Sequence, residues 1–333
     1  NWANSQNLRR QRRRASRILK EDQNNIFLFF CIYTKEVIPI KNIIEYFYKI
    51  PVLKILNKGS IYSFKYNSNE YIFMPAQRTE LELTEIHHLT NKNNLYDKLI
   101  QNIEKKYLTL TSKGYYILLK KSTDVKINLE NIIVKSKLTP ILFENYQSIN
   151  RTDWVKMWTK KIDYVEYQLL HIENKYPLIS KSINYYIGMT ETAISYLTDN
   201  TINKNETNVV ISHKRVVTED NFNNPMNIIV DYFARDISEY LKYIFIKDDY
   251  NYADIILFLN KCDFSESDGK LIYARLMYPS HYFDLYDRII SGNDDEKKIL
   301  SLISRSVEYE KYVKNIYAIL TKNYSNIFTT EWI

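Results

Sequence analysis

With 333 residues, 45% of them hydrophobic, the chain has material for one large domain or two lobes around a full core. Lys and Arg number 46 against 39 Asp and Glu, but Arg9, Arg10, Arg12, Arg13, Arg14, Arg17 and Lys20 hold the whole excess, so the body is neutral and shows no general nucleic-acid face. No apolar run approaches the ~20 residues that a membrane helix needs.

Residues 1–20 form a basic tail, read as solvated or as not native to the protein, since the chain starts without Met. Binding of nucleic acid through this tail is the third-ranked functional reading and is not expected. The apolar run Ile26–Tyr33 is followed by Thr34-Lys35-Glu36 rather than a small-residue cleavage site, so secretion is not expected. Cys31 and Cys262 form neither a metal pattern nor a disulfide framework, which fits a reducing compartment. The 30 tyrosines, with abundant Asn, Ile and Lys, fit an AT-rich coding sequence better than oxidative cross-linking of an assembled layer.

From residue 21 to 122 the pattern predicts a small β-rich lobe. Lys41–Ile50 carries Ile43, Ile44, Phe47 and Ile50 at helical spacing and is stopped by Pro51. Val52–Leu56, Ile61–Tyr66 and Tyr71–Met74 read as strands joined by turns at Asn57-Lys58-Gly59 and Asn67-Ser68-Asn69. A charged helix at Glu80–Leu89 and a hairpin of Tyr107–Thr111 with Tyr115–Lys120 follow, and residues 123–150 read as a connector.

Residues 123–333 are read as a mainly helical lobe with one hairpin near 208–231. Helical faces run through Trp154, Trp158, Ile162, Val165 and Leu169, and through Ile183, Ile187, Thr190, Ile194 and Leu197. Later helices are expected around Ile255–Leu259, Leu271–Met277, Tyr282–Ile290 and Val307–Thr321. The organising stretch is Val209–Tyr240: strand, polar loop, strand, helix. Asp236, with Glu239 three residues on, reads as the capping box of that helix. A β-rich lobe followed by a helical lobe with one hairpin is an α+β, protein-kinase-like, two-lobed layout.

Four segments carry a family resemblance: WVKMWTKKIDYVEY (154–167), YYIGMTETAISYL (185–197), IIVDYFARDISEY (228–240) and LIYARLMYPSHYF (271–283). The chain resembles the YutH type of the CotS spore coat family, within the aminoglycoside phosphotransferase and choline kinase-like superfamily. The resemblance implies a kinase-like fold, synthesis in the cytoplasm, a place in the spore coat and other coat proteins as partners. It does not by itself imply catalysis.

Phosphoryl transfer needs a base to hold phosphates, an acid to orient it, a group to receive the hydroxyl proton, and metal ligands. The resemblance places the phosphate lysine at Met74, which cannot neutralise a phosphate. Lys65 and Arg78 are the nearest substitutes, and Glu82 or Glu85 is the candidate orienting acid. His88 with Glu85 has metal-ligand spacing, but one pair is not a site. His-Gly-Asp is replaced by His213-Lys214-Arg215, and Arg215 cannot accept a proton. His213 is read as structural, with a base role as the alternative. Asp231 and Asp220 are the candidate metal ligands and, through the metal, the candidate cofactor-binding residues for ATP, and Arg235 and Asp236 are read as structural. Gly59 alone serves where a phosphate loop wants several glycines. No cofactor is required by these residues; ATP and Mg²⁺ are what a competent cleft would take. Together they predict a pseudokinase acting as a structural or interaction module, with an active small-molecule or protein kinase as the alternative.

Overall fold

The computed structural model describes residues 38–91, 95–122, 128–137, 146–172, 175–200, 202–203, 205–216, 222–262 and 264–323. The basic tail, the Ile26–Tyr33 run, Cys31 and Asp220 lie outside the described residues. Two compact units divide the chain: one takes the residues up to His87 with Asp97–Ser122, the other His88–Tyr96 and everything from Thr123 on.

The first unit opens with helix α1 (Ile40–Tyr48), which buries Ile43, Ile44, Phe47 and Tyr48 on one face. It ends at Lys49, whose φ of 55° is left-handed, because the residue before Pro51 is barred from the helical region. Strands β1 (Ile55–Lys58), β2 (Ile61–Tyr66) and β3 (Asn69–Pro75) follow as an antiparallel meander. The first strand begins later than the expected Val52. The Val52 amide is held by Glu45 at 2.9 Å and its side chain is buried with α1, so pairing starts only at Ile55 opposite Phe64. The two-residue turns have the positive φ that tight hairpins demand: 66° at Gly59, then 47° at Asn67 and 62° at Ser68.

Helix α2 (Glu80–Thr90) follows, then β4 (Lys98–Ile100), β5 (Thr109–Thr111) and β6 (Gly114–Lys120). Strand β4 is too short to leave a period-2 pattern, and the sequence did not indicate it. The sheet order is β1-β2-β3-β6-β4, with β5 also on β6. Aromatic rings fill the space between α1 and this sheet: Phe64 stacks on Tyr71 at 5.3 Å and Phe73 on Tyr116 at 4.9 Å.

The second unit contains α3 (Leu129–Lys137), in what the sequence suggested was plain connector, then α4 (Trp154–Ile172) and α5 (Pro177–Asp199). Strands β7 (Val209–His213) and β8 (Ile228–Tyr232) pair antiparallel, with Val210 opposite Asp231. Helices α6 (Ala234–Lys247), α7 (Tyr252–Lys261), α8 (Glu266–Met277), α9 (Ser280–Ile290), α10 (Leu300–Ile303) and α11 (Ser306–Asn323) complete it.

Helix α8 is buried from Ser267 to its end and α6 along most of its length. Their charged residues therefore lie inside the fold. Helix α8 starts earlier than its apolar pattern suggested, because Ser265 and Asp268 form a reciprocal capping box. Ser265→Ala is expected to lower stability by about 1 kcal/mol in urea unfolding.

Candidate functional site

In the first unit, the residues matched to phosphate binding are occupied otherwise. Met74 is half-buried on β3 opposite Ile117. Gly59 sits in the β1–β2 turn with nothing within 4 Å of where a Cβ would stand, so its turn conformation accounts for it. Arg78 is buried, and its Nη1 donates to Glu82 Oε1 at 2.9 Å. Glu82 also exchanges bonds with Thr79: its Oε2 accepts the Thr79 amide at 3.0 Å, and its own amide donates to Thr79 Oγ1 at 3.3 Å. Glu82 is thus the acid of a helix cap paired to Arg78. These bonds hold its carboxyl below the usual range against the effect of burial. Lys65 is exposed on β2. Among the described residues no group of three His, Cys, Asp or Glu could hold a metal ion, and His88 instead meets the Tyr146 hydroxyl at 2.7 Å.

In the second unit, β7 delivers His213 and β8 delivers Asp231. His213 is fully buried, with its ring against Phe222 at 4.8 Å. Its amide donates to Asp236 Oδ1 at 2.8 Å and its Nδ1 lies 2.6 Å from Asp236 Oδ2, whereas Nε2 has no partner. This corrects the capping assignment for Asp236. The residue before the helix is Phe233, already helical in φ and ψ, and it makes no side-chain cap. Asp236 sits in the first turn and reaches sideways to β7, fixing the loop after His213.

Asp231 is also fully buried. Its oxygens accept from Trp154 Nε1 at 2.9 and 3.1 Å, from the Tyr232 amide at 2.8 Å and from Arg235 Nη1 at 2.6 Å. Burial pushes this carboxyl up, opposed by the charges of Arg235 and Arg275. Arg235 ties the hairpin together further, donating from Nε to the His213 carbonyl at 2.9 Å and from Nη2 to the Lys214 carbonyl at 3.1 Å.

Arg215, at the position where the resemblance places the hydroxyl-activating carboxylate, forms a bidentate pair with Asp284 of α9. Its Nε and Nη2 donate at 2.5 and 2.7 Å. The Asp284 and Glu239 charges hold this guanidinium above its ordinary value despite burial.

Beside it lies a buried ionic core. Glu239 Oε1 accepts from Arg275 Nε at 2.9 Å, Lys242 Nζ at 3.3 Å and Ser280 Oγ at 3.2 Å, and Arg215 Nε stands 3.8 Å from Oε2. Although burial alone would raise it, the cations around Glu239 hold its carboxyl well below the usual range. Burial pushes Lys242 down to about 7 and Arg275 down to about 10. The Arg275 guanidinium lies 5.2 Å from the Trp154 ring and 5.4 Å from Tyr278, and Trp158 stacks on Tyr278 at 4.6 Å.

A family model described as "Spore coat putative kinase YutH" matches residues 41–316. The chain belongs to the YutH spore coat family. The endospore coat-associated protein YutH of Bacillus subtilis (strain 168) is 24% identical along an alignment of 207 residues that covers 54% of this chain and 61% of that relative, less than two thirds of its length. Two solved structures, an aminoglycoside phosphotransferase from Alicyclobacillus acidocaldarius and the spectinomycin phosphotransferase APH(9)-Ia, match with TM-scores of 0.53 and 0.52. Each is 10% identical; they cover 86% and 84% of this chain and 96% of their own. That likeness establishes a kinase-like fold.

Most of the YutH-type segments read from the sequence meet in the two polar clusters around Asp231 and Glu239. Trp154 and Trp158 come from the first, Asp231, Arg235 and Glu239 from the third, and Arg275, Tyr278 and Ser280 from the fourth. Sequence reasoning assigned Glu239 to a capping box, whereas its carboxylate meets Arg275, Lys242 and Ser280, and it missed Lys242, Arg275 and Asp284. For Glu239 and Lys242 the spacing of one helical turn was a signal; for Asp284, reached across 69 residues, there was none.

Proposed function

We propose that this YutH-family chain is a pseudokinase that serves as a structural or interaction module of the spore coat, with other coat proteins as its partners. The observation that carries this reading is the Arg215–Asp284 pair. A guanidinium held by two carboxylates stands where a proton acceptor is needed, and it cannot deprotonate a hydroxyl.

Three further features support it. Asp231 has committed both oxygens to Trp154, Tyr232 and Arg235, with a fixed cation 2.6 Å away, and this does not fit a divalent metal. Met74 offers no charge to a phosphate. Gly59 is accounted for by its turn. Assignment to the coat follows the family and the relative named for endospore coat association.

The alternative, an active phosphotransferase, draws on one observation: a His213–Asp236 pair with the imidazole Nε2 unpartnered. Full burial of His213 weighs against it. Tagged protein expressed in sporulating cells is expected in the extracted coat fraction. Recovery only outside the coat would overturn the location. Retention in the coat that requires ATP turnover would overturn the pseudokinase reading.

A further inference from the structure

The second unit holds a half-open cavity of about 130 Å³ that neither Arg215, His213 nor Asp231 lines. We propose that it is a binding site for a small monocyclic aromatic acid.

Size sets the first limit. An apolar protein cavity of about 150 Å³ accommodates benzene, so a single ring with a short substituent fits. The walls set the second. Tyr186 stacks on Tyr282 at 3.7 Å and Phe245 lies edge-on to Tyr309 at 5.0 Å, with Met189 and Pro279 beside them. Such walls favour a flat ring over a sugar or a polyamine.

The polar groups set the third. Lys242 Nζ is committed to Glu239, the Tyr278 carbonyl and Ser280. Arg305 is committed to Glu308, Asp248 and the Phe245 carbonyl. Tyr185 donates to Glu310 and Tyr309 to the Leu276 carbonyl. The His281 ring makes no hydrogen bond among the described residues. Burial pushes its imidazole down to about 4, so it is neutral and presents one N–H and one bare nitrogen. The lining includes three basic side chains, Lys242, His281 and Arg305, and no acidic one. An acidic oxygen on the His281 N–H with the ring among the tyrosines satisfies all of these constraints, whereas a ligand ammonium would bring a third cation beside Lys242 and Arg305 with no carboxylate in the lining to balance it.

The test is calorimetric titration of the full chain with benzoate, benzyl alcohol and benzylamine. Saturable benzoate binding is expected, weaker for the alcohol and absent for the amine. His281→Phe is expected to weaken benzoate about tenfold or more, the loss of one hydrogen bond to a charged acceptor, while His281→Gln retains most of it. Leu302→Trp, which fills the cavity from its lining, serves as a second variant and is expected to abolish binding. Absence of benzoate binding to the wild-type chain, equal binding of all three compounds, or binding indifferent to both His281→Phe and Leu302→Trp would overturn the assignment.

Discussion

Replacing Glu239 with Ala is expected to cost about 3–5 kcal/mol of stability, the range for breaking a buried ion pair from one side. Glu239 is the only carboxylate touching both Arg275 and Lys242 among the described residues, and Arg215 faces it as well. Its loss leaves these cations buried together. The pH dependence identifies the cause. The folded carboxyl lies well below 4.5, so the stability it contributes is complete above that value and is lost as the pH falls through the folded one. Urea unfolding of the wild type at descending pH should therefore lose stability faster than the Ala variant does. Parallel acid limbs for the two proteins would show that Glu239 is not ionised in the way described.

Asp231→Ala is expected to be comparably damaging, about 3–5 kcal/mol, because Arg235 would lose its carboxylate and Trp154 Nε1 its acceptor inside the fold. Asp231→Asn keeps an acceptor for Trp154 and should cost less. The comparison separates two roles. A carboxylate kept to bind metal is ordinarily under repulsion when the metal is absent, so neutralising it would leave stability unchanged or improve it. A carboxylate kept to anchor Arg235 and Trp154 destabilises the fold on removal, with or without Mg²⁺. Unfolding of both variants with and without Mg²⁺ reads the difference.

The sequence showed most of the fold, because its elements are of the kind that leave periodic traces. The hairpin turns at Gly59 and Asn67-Ser68, the Trp154–Trp158 face of α4 and the β7–β8 hairpin were all visible. Short or masked elements were not. Strand β4 has only three residues, and α3 only nine. The capping rule was applied at Asp236, where the chain enters the helix directly from β8, and overlooked at Ser265, where it holds. Sequence reading identified the individual residues at the site, but not their partners. That Arg215 replaces an acid is plain in the sequence. That Asp284 pairs with it through both carboxylate oxygens depends on α9 packing that no local spacing encodes. The residues shared with the YutH type gave the family, and the structure gives such residues a structural role: they tie β8, α4, α6 and α8 together through buried charge.

The central claim is that this kinase fold does not transfer phosphate, and its most direct test is ATP consumption by the purified full chain with Mg²⁺, followed as ADP produced, beside a thermal melt with and without the nucleotide. The expected result is ADP formation no faster than in a protein-free blank and no Mg²⁺-dependent rise in melting temperature. ADP production proportional to protein concentration and abolished by His213→Gln would contradict it.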